Sequence, residues 1–557
     1  MVISPSEPRH DPIRLEVLRQ LFTAIAEEMG ATLRRAAFSP NIKERRDYSC
    51  AVFHPTGIPV AMGDHMPVHL GAMPMSVQAA LAAHGSLDSG DVIILNDPFE
   101  GGTHLPDLTL VSPVHFPDSG DLLGYVAARA HHSDVGGMSP GSMPLSREIF
   151  QEGLRIPPIH LKRRGTPVPE VYTLLMANVR TPQERAGDLD AQIGALHTGS
   201  RRLIEMATAR GTASVLSGME DLLEYADRLL ARGIERIPDG SYGAIDHIED
   251  DGAGSDPLPI RVALEVKGSS LRVDFTGSAG QTPGGVNAVS AITSSATRYV
   301  LRCVVEALLE VALPAGGGRL QGVDLTLPRG SIVNAEPPAG VAAGNVETSQ
   351  RITDVLLLAF QQALPDIMPA LSQGTMNNLT AGGVDPRSGR AFTYYETAGG
   401  GMGAGPDGPG LSAVHVHMSN TLNTPIEALE HAYPFRVRQY GIRRESGGRG
   451  LHRGGEGLVR TLEFLAPANV TLLSERRRSG PAGVRGGEAG TPGENLLTRG
   501  SEISHLPSKV TFDARNGDLL TIRSPGGGGW GDPEAQRSRT SQASPGPLEP
   551  IPAEPQE

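Results

Sequence analysis

Two β-rich segments separated by a short polar loop place the strongest constraint on how this chain folds. The segments are residues 108–116 and 122–130, and the loop between them reads PDSGD. Proline, aspartate, serine and glycine are typical turn residues, so the pattern predicts a β-hairpin. If Phe116 pairs with Leu122 across the loop, Asp107 lies opposite His131 at the far end of the hairpin.

Histidine and aspartate side chains collect at that far end. His104 and Asp107 lie in NDPFEGGTHLPD, and His131 and His132 lie in AHHSDVGG. Facing residues of an antiparallel pair have Cβ atoms about 5 Å apart, so an imidazole and a carboxylate placed there can share a divalent ion. A register slip of one residue exchanges His131 for His132, because side chains alternate between the two faces, and the spacing alone leaves this choice open.

A fourth metal ligand is available outside the hairpin. Asp47 stands in ERRDYS, directly before a β-rich segment at residues 48–53. A mixed set of histidine and aspartate ligands fits Zn²⁺ or Mn²⁺, and the sequence does not choose between the two. The alternative is that a polar hairpin end simply carries surface His and Asp side chains. The clustering of four such residues, the flanking Gly-Gly pairs and the hairpin geometry make the two interpretations about equally supported.

Helical and β-rich segments alternate along the remainder of the chain, which predicts a mixed α/β (α+β) fold with several lobes. Apolar residues at spacings of three and four predict a first helix that ends near residue 35, and further helices over 182–237, 291–313 and 347–364. We expect an N-terminal metal-site region, a central α/β region, a Gly-rich β region and a disordered tail, with the bounds 1–240, 241–444, 445–534 and 535–557.

Charge and composition exclude several classes of partner. The 49 basic and 62 acidic side chains give a net charge of −13, which argues against nucleic acid or an anionic membrane as a partner. There is no apolar run of about 18 residues and no signal-like start, and two cysteines make no disulfide framework, so we expect a cytoplasmic protein. No G-x-x-x-x-G-K-[ST] motif is present, and we interpret the Gly-rich runs at 399–403 and 526–529 as tight turns.

The motifs resemble those of the hydantoinase B / 5-oxoprolinase family, which also includes the large subunit of acetone carboxylase. The likeness runs over nearly the whole chain. It rests on motifs such as ERRDYSCAVF (44–53), GDHMPVHLGAMP (63–74), DVIILNDPFEGGTHLPDLTL (91–110), ARAHHSDVGGMSPGS (128–142), AGNVETSQRITDVL (343–356), HMSNTLNTPIEALE (417–430) and SPGGGGWGDP (524–533).

This resemblance implies a site and a division of labour. It implies Asp47, His104, Asp107 and His131 as the ligands of a divalent metal, and so favours His131 over His132. We expect His132 and Asp134 to orient His131 or to act as acid and base, with solvation at the strand end as the alternative. His65 and His69 are interpreted as mainly structural, and Glu347 as part of a helix opening.

The family's activity, carried over as an implication, is ATP-dependent hydrolysis of a cyclic amide such as a hydantoin, 5-oxoproline or another lactam. A separate partner chain of the hydantoinase A type binds ATP and phosphorylates the substrate, and the metal subunit completes the hydrolysis, so we expect a hetero-oligomer. The alternatives are the large subunit of an ATP-dependent ketone carboxylase and a non-catalytic scaffold for the ATP-binding subunit. A metallo-amidase that needs neither ATP nor a partner is a further possibility.

Overall fold

The predicted hairpin forms the centre of a seven-stranded antiparallel sheet in the computed structural model, which describes residues 12–63 and 65–535. Asp107 pairs with His131, as predicted. Near the loop a bulge shifts the register, so that Leu122 faces His115. The sheet has the order β2-β1-β5-β4-β3-β6-β7. Its strands are β1 (Tyr48–Phe53), β2 (Pro59–Met62), β3 (Val92–Leu95), β4 (Asp107–His115), β5 (Leu122–His131), β6 (Ile159–Arg163) and β7 (Thr166–Pro167).

Helices cover both faces of this sheet. The α-helices include α1 (Pro12–Ala36), α2 (Pro40–Lys43), α3 (His69–His84), α4 (Pro169–Ala177), α5 (Pro182–Arg210), α6 (Thr212–Ile234), α7 (Ser290–Leu309), α8 (Ser349–Ala363) and α9 (Ile426–Ala432). On β1, Cys50 and Val52 belong to the core cluster that contains α1 and α5, whereas Ala51 and Phe53 belong to the cluster that contains α3. Alternate side chains of the strand are therefore buried on opposite faces.

The helical predictions are largely confirmed. The periodicity that predicted a helix ending near residue 35 corresponds to α1. The predicted segment 182–237 forms two helices, α5 and α6, which are separated by Gly211 with φ 86°. That backbone conformation favours glycine, so the chain breaks the helix there without a steric penalty.

A second sheet of four strands follows, in the order β11-β10-β9-β8. Its strands are β8 (Gly240–Ile248), β9 (Leu258–Lys267), β10 (Ser270–Asp274) and β11 (Val323–Thr326). The β10–β11 pair is parallel and the others are antiparallel. α8 packs on β8 and β9.

Two further sheets combine strands from both sides of residue 444. Their strands are β12 (Asn378–Asp385), β13 (Arg390–Glu396), β14 (Phe435–Arg443), β15 (Gly457–Phe464), β16 (Ala468–Leu473), β17 (Glu494–Arg499), β18 (Glu502–Leu506), β19 (Lys509–Ala514) and β20 (Leu519–Arg523). The orders are β13-β12-β16-β19 and β14-β15-β20-β17-β18. The four sheets make this a mixed α/β fold, as predicted, whereas the bounds of the four regions stay a prediction. Except for Ala535, the predicted tail at 535–557 lies outside the described residues.

The Gly-rich runs pack backbone against backbone. Gly527 donates to the carbonyl of Gly455, and its own carbonyl accepts from Gly448. A Cβ atom on Gly527 would lie 2.1 Å from the carbonyl oxygen of Met402, and one on Gly401 would lie 2.1 Å from the nitrogen of Gly527. Neither residues 399–403 nor residues 526–529 form a turn. The interpretation of these runs as tight turns is therefore wrong, because glycine is required here for close backbone contact.

Candidate metal centre

Three adjacent strands bring three of the four predicted ligands together at one end of the first sheet. β4 begins at Asp107 and β5 ends at His131, and the two residues are paired. Asp47 directly precedes β1, and its carbonyl accepts a hydrogen bond of 3.1 Å from the backbone N–H of His131. The order β1-β5-β4 therefore places the Asp47, His131 and Asp107 backbones side by side.

Two histidines contact the carboxylate of Asp107. His104 lies in the turn before β4, with its Nε2 atom 3.3 Å from Asp107 Oδ2. His69, the first residue of α3, places its Nε2 atom 3.5 Å from the same oxygen, and its Nδ1 atom is 2.8 Å from Ser49 Oγ. His69, interpreted from the sequence as mainly structural, thus lies in the site.

Side chains from distant segments fix the imidazole rings. The Asn41 amide lies 3.2 Å from Nδ1 of His131 and donates to the His131 carbonyl at 2.7 Å. The ring of Tyr395 stacks on that of His131, with centroids 4.2 Å apart and an interplanar angle of 12°. The Asn345 amide lies 3.1 Å from Nε2 of His104. Residues around a metal site commonly hold its ligands in this way.

Burial and neighbouring charge set the protonation of these groups. Burial alone would raise the pKa of Asp107, but His104 and His69 hold it well below the usual value. Burial lowers the pKa of His131 well below its usual value. Burial raises the pKa of Asp47 to about 6, against the opposing effect of Arg45. At neutral pH, Asp107 is therefore ionised and His131 neutral, the forms in which both residues bind metals.

Some features of the site support a bound metal ion, and one does not. Nε2 of His131 and Nδ1 of His104 are buried without a hydrogen-bond partner, and His131 and Asp107 line a cavity of about 10 Å³, which we name the inner cavity. Yet across residues 12–63 and 65–535, no three His, Cys, Asp or Glu side chains already form a group that could hold a metal ion. The donor types and the unpartnered nitrogen of His131 fit Zn²⁺ or Mn²⁺. The metal centre stays a prediction.

His132 and Asp134 lie elsewhere. Nε2 of His132 is 2.9 Å from Oε1 of Gln192 on α5, and burial lowers the pKa of His132 to about 4. Asp134 forms an ion pair of 2.8 Å with Arg180. Both residues line a separate, largely apolar cavity. Among the described residues, no hydrogen bond or ion pair joins them to the four candidate ligands, and their proposed catalytic role stays a prediction.

The buried carboxyl group of Glu347 is linked to Tyr395 through Asn378. Glu347 belongs to a single π-helical turn, Gly344–Thr348, that precedes α8. Its Oε1 atom accepts from the Asn378 amide at 2.8 Å, and the Tyr395 hydroxyl donates to Asn378 Oδ1 at 3.1 Å. Burial raises the pKa of Glu347 to about 7, and its Oε2 atom has no partner. Glu347 thus lies at the opening of α8, as predicted, with its side chain buried inside the protein.

The fold defines a known class of large mixed α/β proteins. The caprolactamase of Pseudomonas jessenii, described as ATP-dependent, superposes with a TM-score of 0.86 at 28% identity, over 96% of this chain and 93% of that one. The nucleotide-free structure of acetone carboxylase gives a TM-score of 0.84 at 18% identity over 94% of this chain and 76% of that one, which shows a shared fold.

Within this class, the chain belongs to the hydantoinase B/oxoprolinase family, whose model matches residues 11–533. It is 39% identical to 5-oxoprolinase 1 of Arabidopsis thaliana over 94% of this chain. The chain spans only 42% of that relative's length. It is 29% identical to a protein of a Pseudomonas species that is named as a putative subunit of a D-/L-hydantoinase, over 94% of this chain and 90% of the relative. The family predicted from the motifs is confirmed.

Proposed function

We propose that this chain is the metal-binding component of an ATP-dependent cyclic amide hydrolase of the hydantoinase or 5-oxoprolinase type. The observation that carries the proposal is the unpartnered Nε2 atom of His131, buried beside Asp107 in the inner cavity. The family relatives support it through their names, a 5-oxoprolinase and a component of a hydantoinase, and the structural neighbour through its name as a caprolactamase.

Asp47, His104, Asp107 and His131 would hold the metal, and a bound divalent ion supplies Lewis acidity that polarises the carbonyl of the activated amide. The chain's own residues prepare this site. Asn41 fixes the orientation of the His131 ring, so that Nε2 is the nitrogen left to face the cavity. Thr103 donates to Oδ2 of Asp107 at 2.6 Å and holds that carboxylate in place.

The proposal assigns ATP chemistry to a hydantoinase A-type partner in a hetero-oligomer. An unstrained amide is a poor electrophile, and phosphorylation of its oxygen by that partner creates a good leaving group. The absence of a G-x-x-x-x-G-K-[ST] motif from the sequence agrees with this division. The Pseudomonas relative is named as one subunit of its hydantoinase, which supports the division as well.

The metal assignment is tested by measuring metal content by mass spectrometry in purified variants. We expect wild type to carry bound metal, and His104→Ala and His131→Ala to lose it. His431→Ala is the matched control, because His431 is an exposed histidine at the end of α9. A folded His104→Ala protein with the metal content of wild type would contradict the assignment.

The reaction is tested by co-expressing the chain with a hydantoinase A-type partner. Hydantoins, 5-oxoproline and lactams are assayed with ATP and bicarbonate each present or absent. Ring opening that needs ATP but not bicarbonate supports the proposal. ATP-driven fixation of bicarbonate onto an added ketone would instead assign the carboxylase reaction. Ring opening without ATP or partner would identify a self-sufficient amidase.

A further inference from the structure

A cleft between three helices is separate from the inner cavity, since no described residue lines both. It is bounded by α6, α7 and the first turn of α3, and residues 313–320 line its remaining side. Ser295 on α7 accepts hydrogen bonds of 2.9 and 3.0 Å from the backbone N–H groups of Gly71 and Ala72, which holds α7 against that turn. We name this space the arginine cleft, after Arg298 in its lining. The rest of the lining is mostly apolar and includes Leu70, Leu230, Leu301, Leu313 and Leu320.

Arg298 brings a positive charge into this apolar lining without an acidic partner. Across residues 12–63 and 65–535, its side chain makes no hydrogen bond and no ion pair, and its Nε atom is buried. Burial lowers the pKa of Arg298 to about 10, against the opposing effect of Asp227. Asp227 is itself held by Arg319, whose backbone N–H donates to it at 2.8 Å and whose guanidinium lies 3.5 Å from it. Arg298 is therefore charged at neutral pH and unpaired.

The other arginine of the cleft already has an acidic partner. Arg302 forms an ion pair of 2.9 Å with Glu306, one turn further along α7, and donates to the Leu313 carbonyl at 3.1 Å. The same carboxylate of Glu306 accepts from the Leu313 backbone N–H at 2.8 Å. Glu306 thus neutralises Arg302, and among the described residues of the lining these two arginines are the charged ones. One positive charge in the arginine cleft is left without a counterion.

The size of the arginine cleft limits what can bind to Arg298. Its volume is about 30 Å³, and a space of that size has room for about two or three water-sized atoms, which is the size of a carboxylate group. Leu70, Ala315, Gly317 and Leu320 are partly exposed, so the cleft opens to solvent. A carboxylate can therefore reach Arg298 while the hydrocarbon chain attached to it lies along the leucines near the opening.

We propose that the arginine cleft binds a small aliphatic carboxylic acid, with its carboxylate paired to Arg298. A guanidinium group is planar and presents two N–H donors that match the two oxygens of a carboxylate. A charge in apolar surroundings is unfavourable without a partner, and the bound carboxylate supplies one. The leucines favour an acid with a short hydrocarbon chain over a strongly hydrated anion, because binding removes apolar surface from water. This site does not depend on the proposed function.

The first test compares three ligands by isothermal titration calorimetry of the full chain. The protein is treated with a chelator beforehand, so that a carboxylate cannot bind to a metal ion instead. We expect a single site for butyrate. Butyramide has the same shape without the charge and should bind about tenfold more weakly, because it loses the charge-assisted hydrogen bonds to Arg298. Acetate, which is two methylene groups shorter, should also bind about tenfold more weakly, because it buries less apolar surface.

The second test measures butyrate binding to three variants. Arg298→Met removes the charge but keeps an unbranched side chain, and we expect it to weaken butyrate binding at least about tenfold. Arg298→Lys keeps the charge without the planar pair of donors and should weaken binding about fivefold, which preserves the test if Arg298→Met does not fold. Arg232→Gln is the matched control, because Arg232 is an exposed arginine on α6 that does not line the cleft. It should bind butyrate as wild type does.

Four results would overturn the proposal. Wild type that does not bind butyrate has no such site, and equal affinity for butyrate and butyramide would mean that Arg298 takes no part. Equal affinity for butyrate and acetate would mean an anion site without preference for an aliphatic chain. Arg298 variants that bind butyrate as tightly as Arg232→Gln would place the ligand elsewhere. The titration needs no metal, ATP or turnover, so its outcome is independent of the cyclic amide hydrolase assay.

Discussion

The substitution Glu347→Gln tests whether a buried carboxyl group behind the site makes stability depend on pH. Burial raises the pKa of Glu347 from 4.5 to about 7. Because the folded state binds this proton more tightly than the unfolded chain, wild-type stability falls as the pH rises from 4.5 to about 7, and the group has no further effect above that. Glutamine does not titrate. Its side-chain oxygen can accept the same bonds from Met376 and Asn378.

The size of the effect follows from the two pKa values. Each tenfold change in proton affinity corresponds to about 1.4 kcal/mol. Raising the pH from 4.5 to about 7 therefore lowers the free energy of unfolding of wild type by about 3 kcal/mol. For 557 residues, an unfolding entropy of about 2.1 cal/mol/K per residue converts this into roughly 3 °C of Tm. We therefore expect Glu347→Gln to match wild type at low pH and to melt about 3 °C higher at pH 8.

The assay is differential scanning calorimetry of metal-free wild type and variant at about pH 5 and about pH 8, on either side of the window set by the two pKa values. The quantity to compare is the difference in Tm between the two proteins, which removes the contribution of other titrating groups. Glu152→Gln serves as an independent second case, because burial also raises the pKa of Glu152 to about 7. A Glu347→Gln difference that is the same at both pH values would refute the reasoning.

Two other substitutions probe contacts described above. Gly527→Ala should lower the free energy of unfolding by about 3 kcal/mol or prevent soluble expression, because its Cβ would lie 2.1 Å from the Met402 carbonyl oxygen. Gly441→Ala is the control and should be tolerated, because no atom lies within 4 Å of its Cβ. Soluble yield and Tm compare the two, and a well-folded Gly527→Ala protein would argue against close backbone packing. Tyr395→Leu removes the ring stacked on His131 and should weaken metal affinity about tenfold, whereas Tyr395→Phe keeps the ring and should weaken it less. A chelator competition titration measures both, and equal losses would contradict the role of stacking.

The hairpin could be predicted because its information is local. A short polar loop and two β-rich segments determine which residues face each other, so the Asp107–His131 pair follows from positions within one short stretch. The helical stripe of α1 was predictable for the same reason. The pairing differs from the prediction only near the loop, where a bulge pairs Leu122 with His115. The turn residues do not predict this bulge.

The surroundings of the site could not be predicted because they come from distant parts of the chain. Asn345 and Tyr395 lie more than 200 residues from the histidines that they contact. Glu347 lies at a helix opening, as the sequence predicted, but its hydrogen bonds from Met376 and Asn378, 29 and 31 residues further along, were not predicted. His69 offered a weak signal, as a histidine at a helix start near a serine-containing strand. Pairings over such separations depend on how the sheets assemble.

The close backbone contacts of residues 526–529 also determine the order in which the protein can be completed. These residues accept from and donate to segments that begin as early as Leu371 and include Ala404, Gly448 and Gly455. On the ribosome, those earlier segments emerge long before their shared partner exists. The amide and carbonyl groups that pair with residues 526–529 stay exposed to water until those residues leave the exit tunnel. Assembly of this lobe therefore waits until residues 526–529 have been made, whereas the hairpin of the first sheet can form much earlier in synthesis.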